Sequence, residues 1–339
     1  MHRLTSRIHS AKLNRRHEGA LDIRSILICR PNKRLGNLLL MTPLVQELER
    51  LFPDCTIDFF VAGGLAPIIF ENDPHVRKIF RLPSKPFKNL FPYLGVWFSL
   101  RKSHYDLAIN VIEYSSSGKI STLVSRATYK LLTDETESIS RNHPDYHHAG
   151  KYPVYALRNY LAHLGIPESD APVPSLELKL TSAEMEAGKK IIRDIFPNEK
   201  ETIGIFTFAT GLKCYPPSWW EPFYARLKNE YPEYNILEIL PKENVSQIGF
   251  EAPTFYSLDV REICAVMANL RVFIGADSGM MHLASASGTP TIGLFSVTDE
   301  KVYGPYGNGS AAVRTAEGNM EACFVALKGL TLVGGNMGR

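Results

Sequence analysis

Residues 271–307, RVFIGADSGMMHLASASGTPTIGLFSVTDEKVYGPYG, decide how the rest of the chain reads. An apolar strand, Val272–Gly275, runs out at Ala276, and Asp277-Ser278-Gly279 turns the chain into a helix over Met280–Ala286. Ser278 is placed to cap that helix, because a serine hydroxyl accepts from the unpaired N–H groups of a first turn. Gly279 has no side chain to keep a ligand away from those groups. A helix start at the C-terminal edge of a sheet is a natural phosphate site, through its N–H groups and its dipole. His282 falls in the first turn, where an imidazole can face such a phosphate or the cleft. An ordinary strand-turn-helix with a capping serine and a packed histidine satisfies the same pattern. Gly288-Thr289-Pro290 then leads into a second apolar strand, Thr291–Phe295. Thr298-Asp299 and Tyr303–Gly307 bring the chain back toward the same edge. Gly293, Gly304 and Gly307 are turn or close-approach positions.

The same alternation extends in both directions. Upstream lie a helix over Thr181–Phe196, a strand over Thr202–Phe208, a helix over Ser218–Glu230 with Ser218 as its cap, a strand over Asn235–Leu240 and a helix over Val260–Ala268. In the first half, Ile23–Cys29, Thr56–Val61, Val76–Leu82 and Leu107–Ile112 read as strands. Leu38–Phe52 has helical spacing, and Thr42-Pro43 makes it either start or kink there. Tyr152–Leu164 reads as a helix closed by Gly165 and Pro167. Strands alternating with helices imply parallel sheets covered on both faces. The fold class is therefore α/β, with two doubly wound, Rossmann-like domains in tandem. The Pro-rich segment Gly165–Pro174 marks their boundary, giving a basic arm over 1–22 and domains over 23–168 and 169–339. Ligands of such sheets bind beyond the C-terminal strand ends, and a cleft is expected between two such domains.

Composition narrows the function. A chain of 339 residues suits about two domains, and 45% hydrophobic with 22% charged residues is ordinary for a globular protein. Mean hydropathy is −0.10, and the longest apolar runs, Leu65–Phe70 and Phe91–Leu100, are too short to cross a membrane. The net charge of +3 does not by itself predict nucleic-acid binding. Five scattered cysteines without a CxxC pair argue against a disulfide framework and a structural zinc cluster, and for a reducing compartment. The arm carries Arg3, Arg7, Lys12, Arg15 and Arg16 without an apolar run, so it is a solvated segment or a weak contact to anionic headgroups rather than a secretory signal.

Phe208–Trp220, FATGLKCYPPSWW, lies between a strand and a helix at the same sheet edge. Thr210 and Gly211 can present a hydroxyl and backbone N–H groups, and Lys213 a point charge for a diphosphate. An isolated lysine is more often a plain surface residue. Trp219 and Trp220 read as core anchors. Glu243, beyond the strand ending at Leu240, is placed to accept a ribose hydroxyl. Asp277 has no neighbouring acid in a D-x-D pair, so no divalent metal is expected at this edge. His147-His148 lacks a third ligand at useful spacing.

The string D-S-G-x-x-H-L-A-x-A-x-G-T-P-x-x-x-L-F, followed by T-D and G-P-Y-G, resembles the C-terminal signature of glycosyltransferase family nine, the heptosyltransferases. Arg30-Pro31-Asn32-Lys33-Arg34-Leu35-Gly36-Asn37 after the first strand, then Thr42-Pro43 and FPDCTIDFFV over Phe52–Val61, resemble that family's opening. The resemblance covers roughly Ile23 to Gly307. It implies the GT-B architecture and an inverting glycosyltransferase. Such an enzyme moves heptose or a related sugar from an ADP-sugar to a lipopolysaccharide-core or other cell-envelope glycan, without a metal. The implied setting is cytoplasmic, peripheral at the inner membrane face. The resemblance places Lys213, Tyr215, Pro216 and Trp220 on a donor-loop motif and raises Lys213 to a diphosphate ligand. It puts Leu258 against the adenine, where core packing is the other reading. With Thr210, Gly211, Glu243, Asp277, Ser278, Gly279 and His282, these form the donor set. Acceptors of this kind are anionic, so Arg30, Lys33, Arg34, Lys85 and Lys88 are the acceptor candidates, and the polar segment Thr133–His148 an acceptor-binding loop. The chain departs from the family at Asn37, where the family's catalytic base is an Asp. Glu113, at the end of the fourth strand, is the first candidate for a relocated base, with His143 and Asp145 behind it. A noncatalytic nucleotide-sugar or glycan-binding homologue and a sugar-nucleotide epimerase are the other readings.

Overall fold

The computed structural model describes residues 21–83, 90–112, 115–133, 137–315 and 320–334. The basic arm therefore lies outside the described residues, as do Lys85, Lys88 and Glu113. The chain divides into two compact units, residues 1–174 and 175–339.

The first unit runs β1 (Ser25–Arg30), α1 (Leu35–Leu39), α2 (Thr42–Leu51), β2 (Thr56–Ala62), α3 (Ala66–Ile69), β3 (Val76–Leu82), α4 (Leu90–Lys102), β4 (His104–Asn110), α5 (Ser116–Val124), β5 (Arg126–Leu131), α6 (Glu137–Asn142) and α7 (Tyr152–His163). Its five strands lie in the order β3-β2-β1-β4-β5, every pairing parallel. Central β1 is buried from Ile26 to Arg30, as expected of a strand covered on both faces. Thr42-Pro43 separates two helices rather than kinking one: Pro43 sits in the first turn of α2, and the Thr42 hydroxyl donates to Leu39 O at 2.8 Å. The buried Glu47 carboxylate on α2 takes a forked contact from Arg158 on α7, at 2.8 and 3.1 Å. Arg158 also donates to the carbonyls of Ser169 and Ala171, so one guanidinium ties α2 and α7 to the segment after them.

The polar segment Thr133–His148 is not simply a loop. It contains α6, and Ile139, Tyr146 and Tyr155 form a small buried apolar cluster. Asp145 accepts from Lys151 at 2.7 Å and from Tyr155 at 2.9 Å. Burial alone would raise its carboxyl, but these two donors together hold it below the usual range. His143 stacks on Tyr155 at 4.1 Å between ring centres. Both residues offered as reserve bases thus help to pack this segment.

The second unit runs α8 (Ser182–Ile195), β6 (Thr202–Phe206), a short 3₁₀ turn (Gly211–Lys213), α9 (Pro217–Glu230), β7 (Asn235–Ile239), β8 (Thr254–Phe255), α10 (Val260–Met267), β9 (Val272–Ala276), α11 (Gly279–Ala286), β10 (Thr291–Phe295), α12 (Glu300–Tyr303), β11 (Ala311–Arg314) and α13 (Glu321–Gly334). The strands lie in the order β11-β10-β9-β6-β7-β8, all parallel. Counted from the first strand of the unit, this is the doubly wound dinucleotide-binding order, which reverses between β6 and β9. Trp219 and Trp220 are buried in the core, Trp219 stacked on Phe223 at 5.0 Å. Ser218 does not cap α9. The helix begins at Pro217, whose fixed φ and missing N–H suit a first turn, and Pro216 occupies the cap position. Thr181 and Glu184 form a reciprocal capping box on α8. Glu184 also meets Arg261 at 2.5 Å, and that guanidinium holds its carboxyl down at about 2. Gly188 lets α8 and α10 touch: a Cβ there would lie 2.2 Å from Ala265 O. None of the five cysteines is in a disulfide. No helix among the described residues is long and apolar enough to cross a membrane.

Candidate active site

The reversal of strand order opens a crevice between the chain segments leaving β6 and β9, the place where open α/β sheets bind ligands. The residues singled out in the sequence emerge there. After β6 the chain passes through Thr210 and Gly211 into the 3₁₀ turn. Gly211 has φ +65°, a conformation that favours a residue without a Cβ. After β9 come Asp277, Ser278 and the start of α11. The Lys213 ammonium, half-buried, lies 3.1 Å from the buried Asp277 carboxylate, bridging the two sides of the switch point. The Thr298 hydroxyl, from the loop after β10, donates to the same Asp277 oxygen at 2.7 Å. Three strand ends thus converge on one carboxylate. Ser278 caps α11, its hydroxyl accepting from Met281 N at 3.4 Å. His282, in the same turn, is buried.

The outer part of this edge is the loop after β7. Glu238, fully buried in that strand, accepts from the Thr207 hydroxyl at 2.6 Å and from the Ser246 hydroxyl at 2.8 Å. Burial pushes its carboxyl above the usual range. Thr207 in turn accepts from Gln247 N, and Ser246 from the N–H groups of Ile248 and Phe250. The loop carrying Glu243 is therefore anchored from beneath, while Glu243 itself is exposed, 3.7 Å from Lys242. Leu258 is 72% exposed, which removes core packing as its explanation. Leu212, between Gly211 and Lys213, is 86% exposed. Sequence reasoning missed Glu238, Thr207 and the meeting of Thr298 with Asp277. A lone acid inside the apolar strand Asn235–Ile239 was the available signal for the first.

The first sheet also reverses its order, between β1 and β4. Asn37 follows β1, half-buried in the first turn of α1. The register pairs Cys29 with Asn110, so the segments after β1 and β4 leave the sheet side by side. Asn110 fixes that edge: its amide donates to the carbonyls of Ile112 at 2.6 Å and Leu132 at 3.1 Å. Arg30 is buried at the end of β1, whereas Lys33 and Arg34 are exposed. The structure therefore brings together Lys213, Asp277 and the Ser278-Gly279 helix start in the second unit, and Asn37 with the basic β1 loop in the first.

Two tandem sheets of nucleotide-binding order, with the Lys213 ammonium and a helix start at the switch point of the second, match the two Rossmann-like domains of the GT-B fold. The chain belongs to glycosyltransferase family 9 (heptosyltransferase), whose profile matches residues 94–332. It is 23% identical over 304 residues to lipopolysaccharide heptosyltransferase 3 of Escherichia coli, covering 80% of this chain and 84% of that one. It is 23% identical over 325 residues to lipooligosaccharide heptosyltransferase 2 of Haemophilus influenzae, covering 87% and 90%. Among solved structures, a family 9 glycosyltransferase from Veillonella parvula shares the fold, with TM-score 0.72 and 16% identity over 93% of this chain and 99% of that one. The E. coli heptosyltransferase WaaC with ADP follows, with TM-score 0.64 and 15% identity over 92% and 99%.

Proposed function

We propose that this glycosyltransferase moves a heptose, or a related sugar, from an ADP-sugar to a lipopolysaccharide-core or other cell-envelope glycan, with inversion. The observation that carries this reading is the Lys213 ammonium held beside Asp277 and the start of α11 at the switch point of the second sheet. The family and the names of its relatives, lipopolysaccharide and lipooligosaccharide heptosyltransferases, support the donor and acceptor class.

The reaction is one displacement. The acceptor oxygen forms a bond to the anomeric carbon, the bond from that carbon to the diphosphate breaks, and the acceptor hydroxyl gives up its proton. Lys213, the Thr210-Gly211 backbone and hydroxyl, and Ser278-Gly279 hold the diphosphate and stabilise the charge it gains on leaving. Glu243 accepts from the ribose, and exposed Leu258 covers the adenine. Asp277, an acceptor locked in place by Lys213 and Thr298, takes a donor-sugar hydroxyl, with His282 behind it. In the first unit, Arg30, Lys33 and Arg34 face an anionic acceptor, with Lys85 and Lys88, outside the described residues, as further candidates. Asn37 orients the acceptor hydroxyl. Its amide cannot take the proton at neutral pH, so Glu113, three residues beyond Asn110, is assigned as the base. A glycolipid acceptor of this class would bring the working enzyme to the surface of a membrane.

Thermal unfolding of the full chain with ADP, UDP, GDP or NAD tests the donor class. A ligand that binds only the folded state raises the midpoint. ADP is expected to raise it and the others to leave it nearly unchanged. A larger shift with UDP, GDP or NAD than with ADP would contradict the assignment.

A further inference from the structure

At the opposite edge of the first sheet from Asn37, where the parallel strands β2 and β3 begin, three side chains converge. Glu49 comes from the last turns of α2, and Asp73 and His75 from the turn that leads into β3. Asp73 is buried, and Glu49 and His75 are half-buried. The His75 Nε2 atom lies 3.0 Å from the carbonyl oxygen of Pro53. A carbonyl only accepts, so Nε2 carries the hydrogen in that contact, and Nδ1 of the neutral ring presents a lone pair. This Nδ1 is buried and has no hydrogen-bond partner. It faces Glu49 Oε1 at 3.5 Å and Asp73 Oδ1 at 3.9 Å. Three atoms able to ligate a metal thus lie close together, and Asp73 Oδ1 also accepts from the His75 backbone N–H at 3.0 Å, which holds the turn in place.

The spacing fits a metal ion. One ligand atom from each residue lies within 4.8 Å of the other two. Zinc bonds of about 2.0–2.2 Å place neighbouring tetrahedral ligands about 3.3–3.6 Å apart, close to the nitrogen–oxygen separations here. An imidazole nitrogen with two carboxylates suits zinc and similar borderline ions, whereas calcium and magnesium take oxygen ligands. The Pro53 carbonyl acts as the outer partner that sets the tautomer and ring orientation of a ligating histidine.

We propose that Glu49, Asp73 and His75 bind a divalent transition-metal cation of the zinc class. The ion ties α2 to the entry of β3, an edge strand of the first sheet. Its role is structural, and it stands apart from the sugar-transfer chemistry and from the assignment of the donor. The competing account of the same geometry is an imidazolium shared by two carboxylates with no metal.

Calorimetric titration of chelator-stripped full chain with zinc chloride near neutral pH separates the two. Saturable binding of one equivalent at micromolar zinc is expected, together with a raised unfolding midpoint. Glu49→Gln and His75→Ala are each expected to weaken zinc binding at least about tenfold, and His147→Ala to leave it unchanged. Glu49→Gln keeps the size of a half-buried helix residue, so it decides the matter if His75→Ala does not fold. Absence of saturable binding, or binding that Glu49→Gln leaves intact, would overturn the site.

Discussion

Lys213→Ala is expected to weaken ADP binding about tenfold to a hundredfold, because a charge-assisted contact is worth ~1.5–3 kcal/mol. The size follows from where the ammonium sits. Lys213 is half-buried against a carboxylate that is nearly fully buried, so its charge is poorly screened by water. It also lies between the chain segments from β6 and β9, where a diphosphate bound as proposed would reach both the lysine and the N–H groups of α11. Removing the amine leaves Asp277 with the Thr298 hydroxyl in its place, so unfolding of the unliganded variant has to be followed beside its calorimetry. Lys213→Arg should recover part of the affinity, since it keeps the charge but not the compact ammonium. Gly279→Val should cost at least as much as Lys213→Ala by crowding the helix start. Unchanged ADP affinity in folded Lys213→Ala and Gly279→Val would remove this site from the donor.

Glu113→Gln is expected to lower kcat by about 10²–10⁴, the usual contribution of a positioned base, with donor KM little changed. The topology motivates the assignment. Cys29 of β1 pairs with Asn110 of β4, so Asn37 and Glu113 follow neighbouring strand ends at the switch point of the first sheet, although Glu113 lies outside the described residues. Asn37→Ala should reduce kcat by less, since it loses orientation of the acceptor rather than the proton acceptor. Asn37→Asp should bring little gain while Glu113 serves. A large gain in Asn37→Asp would show that the native chain lacks an effective base and binds its donor with poor turnover. Full activity in Asn37→Ala would move that residue away from the reacting centre.

The strands read most directly from the sequence are fully buried ones. Thr291–Phe295 has the bounds read from sequence, and Thr202–Phe206 and Val272–Ala276 come within two residues of theirs, because a strand inside a covered parallel sheet is a nearly continuous apolar run. Of the edge strands, Val76–Leu82 also has the bounds read from sequence, although much of it is exposed, whereas others escaped. β5, RATYKL, is half exposed and reads as polar loop, and β8 has two residues. α5, SSGKISTLV, is rich in residues with weak helix preference and is held by its cap, Ser115, and by packing on β1 and β4. In the site, single-residue chemistry was visible: a lysine before an aromatic-proline string, and a serine and glycine at a helix start. The partnerships were not. Lys213 and Asp277 are 64 residues apart, and only the strand order brings them to 3.1 Å. Glu238 was passed over because an acid in a buried strand makes sense only once Thr207 and Ser246 are seen to meet it. The proposed cation site was hidden in the same way, since Glu49 reaches Asp73 and His75 across a strand and a helix.

Mass spectrometry of sugar transfer puts the whole reading to the test. The full chain, incubated with ADP-heptose and a core glycolipid lacking its outer heptose, should yield a product heavier by one heptosyl residue and release ADP in equal amount. UDP- and GDP-sugars offered to the same acceptor should give no product. Transfer from a UDP- or GDP-sugar with none from ADP-heptose, or release of ADP without any glycosylated product, would contradict it.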